Sequence, residues 1–111
     1  MEADTLAITC RDDHGTRFIA LAGELDLSNF ASLLKALEGW EEFDEVTIDT
    51  TELRFIDSSG LSTLIAAHRT MGWDRFRLIP GGATARLLKI TATEYLLGPG
   101  EANEGSTRRL A

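Results

Sequence analysis

Phe55-Ile56-Asp57-Ser58-Ser59-Gly60-Leu61 lies between a strand-like run and a helix-like one, and its reading decides the fold. Behind it, Glu45 to Thr50 centres on Val46 and Ile48, which predicts a strand. Ahead of it, Leu61, Leu64, Ile65 and His68 recur at helical spacing, so a helix is expected from about Ser59 to Met71, stopped at Gly72. Two hydroxyls therefore stand where a helix begins. Arg75 to Ile79 follows as another strand, with Phe76 and Leu78 turned away from Arg75 and Arg77. Strand, helix and strand in that order imply parallel pairing through a right-handed crossover.

Outward from this unit, Leu6, Ile8 and Cys10 alternate with polar positions, the pattern of a half-buried strand. Asp12-Asp13-His14-Gly15 reads as a hairpin turn, and Arg17 to Ala22, apolar on both faces, reads as an interior strand ended by Gly23. Asp26 and Ser28 are candidate N-caps for a helix whose stripe is Phe30, Leu33, Leu34 and Leu37, prolonged by Trp40. Pro80-Gly81-Gly82 breaks the chain before a third helix, Ala83 to about Ile90, burying Leu87 and Leu88. The expected architecture is α/β: a mixed, mostly parallel sheet with an N-terminal antiparallel hairpin, flanked by helices. One domain is expected over residues 1–97, followed by a mobile Gly-rich tail over 98–111.

Composition narrows the function classes. The chain has 111 residues, 43% of them hydrophobic, and a formal charge of −7, which disfavours nucleic acid as a partner. Cys10 is the single cysteine, so no internal disulfide forms, and buried packing is expected for it. No signal-like segment or membrane-length apolar run is present, so a cytoplasmic protein without direct membrane contact is expected.

An enzyme reading finds little support. His68 lies ten residues beyond Ser58 on one predicted helix, about 15 Å at 1.5 Å per residue, too far to activate it. His14 belongs to a turn. There is no nucleophile elbow, no metal-ligand spacing and no phosphate-binding loop, so neither a metal nor a cofactor is expected. Asp26, Asp49 and Asp57 stand at or near strand ends, where capping and turn formation are their ordinary roles. Ser58 has two readings. It can be a silent helix-start residue, or a phosphate acceptor whose new charge decides whether a partner docks.

Gly23-Glu24-Leu25-Asp26-Leu27, the strand Val46-Thr47-Ile48-Asp49, and Phe55-Ile56-Asp57-Ser58-Ser59-Gly60-Leu61 occur in the order and spacing of STAS domains. From about Leu6 to Leu97 the chain resembles that family, and within it the bacterial anti-sigma factor antagonists. The resemblance implies that the unphosphorylated antagonist binds an anti-sigma factor, itself a serine kinase of the ATP-binding GHKL type, and so releases a sigma factor. It implies Ser58 as the phosphate acceptor, with Asp57, Ser59 and Gly60 beside it and Asp26 and Asp49 near it. A metal-dependent, PP2C-like phosphatase would reverse the modification, and ATP would belong to the kinase. The family usually continues past its third helix with a strand and a closing helix, where this chain turns Gly-rich. It also includes subunits of membrane lipid-transport and stress-signalling complexes, which gives the alternative of a permanent interaction module.

Overall fold

A computed structural model describes residues 5–98; the tail expected over 98–111 lies outside the described residues apart from Gly98. Four strands form one sheet in the order β1-β2-β3-β4: β1 (Leu6–Asp13), β2 (Thr16–Leu25), β3 (Glu45–Ile56) and β4 (Phe76–Ile79). The first pair is antiparallel and the other two are parallel. The helices are α1 (Phe30–Leu37), α2 (Ser58–Met71) and α3 (Gly82–Thr91), with short 3-10 turns at Trp40–Glu42 and Glu94–Leu97. This is the mixed, hairpin-led α/β sheet that the periodicities predict.

The hairpin turns through His14 and Gly15, both at positive φ, which Gly15 adopts without a side-chain clash. Arg17 grips Asp12 through two parallel bonds, Nε to Oδ1 at 2.8 Å and Nη2 to Oδ2 at 3.0 Å. That hydrogen bonding holds the Asp12 carboxyl below its ordinary range. Ile19, Leu21, Leu25, Val46, Ile48 and Leu78 turn one face of the sheet inward, where Leu33, Leu37, Leu61 and Leu64 of α1 and α2 close the core. Each such side chain contributes about 1.5–3 kcal/mol by leaving water.

The second strand runs on through Gly23 to Leu25. Gly23 sits inside it at φ 103°, and a Cβ there would come 2.0 Å from the Thr5 carbonyl oxygen, so glycine marks an irregularity rather than an end. The third strand is twice the expected length, because Glu52 to Ile56 continues it past two shifts of register. Since β4 pairs only with Val46–Asp49, the rest of β3 overhangs, and α3 packs along that overhang. Thr50 secures the corner: its buried hydroxyl donates to the Ile79 carbonyl at 2.9 Å and accepts from the Gly81 N–H at 3.2 Å.

Two further expectations are corrected. Cys10 is exposed, not buried: it lies on an edge strand two residues beyond Ile8, where the eight-residue α1 no longer covers the sheet. Neither Asp26 nor Ser28 is the N-cap of α1; that position is Asn29. Its side chain instead ties the preceding loop, accepting from the Asp26 N–H at 2.9 Å and donating to the Glu24 carbonyl at 2.9 Å.

Candidate functional site

Two loops meet at the carboxyl ends of the parallel strands β2 and β3, the end of an open α/β sheet where ligands and partners usually bind. One is Asp26 to Asn29, leading into α1. The other is Asp57 to Gly60, the start of α2. Asp57 is the N-cap of α2, with extended backbone and Oδ1 accepting from the Gly60 N–H at 3.0 Å. Its other oxygen, Oδ2, accepts from the Leu27 N–H at 3.2 Å in the neighbouring loop. The Asp57 N–H in turn donates to the Leu25 carbonyl at 3.1 Å. One residue thus caps the helix and fastens both loops together.

Ser58 is therefore not the cap but the first residue of α2, and it is exposed. Ser59 is half-buried. Gly60 is buried for a packing reason: a Cβ on it would lie 2.8 Å from Leu25 Cγ and 2.9 Å from Ile56 Cγ1. Without that side chain, α2 starts directly against the ends of β2 and β3 and turns Ser58 toward solvent. At this helix start the N–H groups of Ser58 and Ser59 have no acceptor within the helix, and the dipole is positive, so a phosphate on Ser58 meets a favourable field.

Asp26 belongs to the same constellation. Its Oδ1 accepts from the Ser28 N–H at 3.0 Å and from the Ser28 hydroxyl at 2.6 Å, holding the loop that presents Leu27 to Asp57. Asp49 does not. It lies in the middle of β3, eight residues and so roughly 26 Å from Asp57 at about 3.3 Å per residue. There its Oδ1 accepts from the Thr51 N–H at 2.9 Å and the Thr51 hydroxyl at 2.7 Å. It faces a depression of about 370 Å³ lined also by Thr9, Arg11, Phe18, Ala20 and Ile79. The expected nearness of Asp49 to the acceptor fails because the strand bearing it is far longer than Glu45 to Thr50.

What sequence reasoning missed is the surface beside Ser58. A groove of about 340 Å³ runs between α1 and α2, lined by Leu27, Phe30, Leu34, Ser59, Ser62, Thr63 and Ala66. Leu27 is 70% exposed and Leu34 is 45% exposed. The signal lies in Leu34, whose place in the α1 stripe predicts burial, and in Leu27, an apolar residue in a loop.

Neither histidine reaches Ser58. His14 turns the hairpin at the opposite end of β2, a strand of ten residues and so about 30 Å away. His68 packs edge-on against Trp73, Phe76 and Tyr95, its centroid 4.5 Å, 5.6 Å and 5.6 Å from theirs. Its Nε2 is buried without a partner, and burial pushes its pKa down, favouring the neutral ring. Among the described residues no cluster of His, Cys, Asp and Glu could hold a metal, and no helix is long and apolar enough to cross a membrane.

With this geometry in view, likeness to known proteins has a structural meaning. The fold matches an anti-sigma factor antagonist from Mycobacterium paratuberculosis with a TM-score of 0.75 and 24% identity, over 88% of this chain and 86% of that one. It matches the anti-sigma factor antagonist SpoIIAA in its unphosphorylated form with a TM-score of 0.67 and 19% identity, over 95% and 98% of the two chains. The phosphorylated form of SpoIIAA, a Bacillus cell fate determinant, matches with a TM-score of 0.60 and 18% identity, over 95% and 100%. At these identities the likeness establishes the fold. No curated protein matches in sequence. Residues 8–93 match the sequence family described as "Mlab, STAS domain", and the chain belongs to the STAS domain family.

Proposed function

We propose that this STAS domain is an anti-sigma factor antagonist whose docking onto an anti-sigma serine kinase is switched off by phosphorylation of Ser58. The observation that carries the reading is an exposed hydroxyl at the first residue of α2, next to Ser59, which lines an apolar groove, with no histidine in reach. A partner seated on Leu27, Phe30 and Leu34 covers Ser58 as well, since Asp57 bonds directly to the Leu27 N–H. Phosphate adds about −1.5 to −2 charges there. Once covered, that charge loses its water and meets whatever carboxylates the partner offers. A cost of about 4 kcal/mol is roughly a thousandfold in affinity.

The domain acts as substrate and binder, not as catalyst. The kinase is of the ATP-binding GHKL type, a PP2C-like phosphatase resets the switch, and the setting is cytoplasmic. Likeness to antagonist structures in both phosphorylation states supports this reading. Incubation with such a kinase and ATP, followed by mass spectrometry, should place phosphate on Ser58. Ser58→Asp should bind the kinase far more weakly than Ser58→Ala. Phosphate absent from Ser58, together with equal binding by the two variants, would refute the switch.

The matched family description favours a second reading. In it, the same α1–α2 face holds a partner permanently, as an interaction subunit of a membrane lipid-transport complex. Co-purification of an integral membrane assembly, unaffected by Ser58→Asp, would select it.

A further inference from the structure

A second groove lies at the same end of the sheet but on the α3 side, between that helix and the overhang of β3. It encloses about 190 Å³ and is lined by Arg54, Phe55, Ile56, Ala83, Arg86, Leu87 and Ile90. Its apolar residues are unusually bare: Phe55 is 48% exposed and Ile90 is 73% exposed. Its charges run against the rest of the molecule. In a chain of formal charge −7, α3 carries Arg86 and Lys89 and no carboxylate, and Arg54 adds a third cation from the strand side. Of these three cations, only Arg54 has an ion-pair partner among the described residues, Glu24, at 3.6 Å. Such an exposed pair holds little energy and is readily exchanged for a better one.

We infer that this groove docks an acidic amphipathic segment of a partner protein, its apolar side chains against Phe55, Leu87 and Ile90 and its carboxylates on Arg54 and Arg86. Charge complementarity selects an anionic occupant, and the apolar floor requires one with an apolar side. Arg86 and Ile90 lie one helical turn apart on α3, which suits an elongated segment laid along the helix. A bilayer fits less well. The site is concave between a helix and a strand, a shape that a flat headgroup surface does not enter. Nucleic acid would meet too few cations.

This surface is separate from the α1–α2 groove, with which it shares no lining residue. The test is amide chemical-shift mapping on the isotope-labelled full chain. The probe is an acidic amphipathic peptide of about 15 residues, with Leu and Phe at helical spacing and Glu elsewhere. Shifts should centre on Arg54–Ile56 and Ala83–Ile90. The double variant Arg54→Glu/Arg86→Glu should bind about tenfold or more weakly with its thermal midpoint unchanged, because both side chains are exposed. A peptide with Lys for Glu, and one with Ser for Leu and Phe, should fail to bind. The inference is overturned by any of four outcomes: no shifts at millimolar peptide, shifts centred on α1 and α2, equal binding by the Lys or Ser peptide, or preferential binding to phosphatidylglycerol vesicles.

Discussion

Substituting Gly60 by Ala sets two effects of known sign against each other. Alanine in place of glycine in a helix is worth about 0.5–1 kcal/mol through propensity. Against that, the added methyl would stand 2.8 Å from Leu25 Cγ, 3.0 Å from Leu25 Cδ2 and 2.9 Å from Ile56 Cγ1. These are not free ends of surface side chains: Leu25 is 0% exposed and Ile56 is 6% exposed. Overpacking of this kind costs about 1–3 kcal/mol, so the clash wins and a net loss of about 1–2 kcal/mol is expected. Gly82 supplies the control. It also lies in the first turn of a helix, α3, but a Cβ there meets nothing within 4 Å and its φ is not in the left-handed region. Gly82→Ala should therefore be neutral or stabilising by up to about 1 kcal/mol. In a domain of this size, thermal unfolding converts each kcal/mol to about 4–8 °C. Gly60→Ala should lower the midpoint by about 5–15 °C, while Gly82→Ala should leave it unchanged or raise it. A Gly60→Ala midpoint at or above the parent's would show that α2 does not rest on the strand ends as described.

Asp57→Ala should lose about 1–2 kcal/mol, since it removes a helix cap and the loop-fastening bond to Leu27, while Asp57→Asn, which keeps a cap acceptor, should lose clearly less; equal losses in denaturant melts would count against the two-bond geometry. For His68, burial lowers the folded pKa below 6.5, so its contribution is complete above about pH 6.5 and is lost as pH falls through the depressed value. His68→Phe should flatten that limb of the midpoint-versus-pH curve, and a difference from the parent that stays constant between pH 8 and 5 would contradict it. Cys10 should react with a thiol reagent in the native state at close to the rate of the unfolded chain, because it is exposed; protection by folding would show that β1 is covered.

The sheet order and hairpin were legible because β1 and β4 alternate with a period of two, β2 is a continuous apolar run, and the hairpin turn carries Asp, His and Gly. The second half of β3 was not. Thr51-Glu52-Leu53-Arg54-Phe55 places Leu53 and Ile56 in the core on either side of a register shift, so no single period describes it. Gly23 misled for a related reason, being an irregularity within a strand rather than its end. The Asp-Ser-Ser-Gly start of α2 could be located in sequence, but not which side chain capped it. That depended on Leu27, thirty residues upstream and adjacent only in the fold. The exposed grooves follow from where helices leave off, which periodicity does not report.

The overhang of β3 has a consequence for the order in which the molecule is completed. Its outer edge past Asp49 has no neighbouring strand and is sheltered by α3, whose residues emerge late during synthesis. A nascent chain that has not yet reached Gly82 leaves that edge of the ribbon unsealed. The loops and helices that frame Ser58 lie between Asp26 and Met71, so the hydroxyl's own surroundings can close before that edge is sealed.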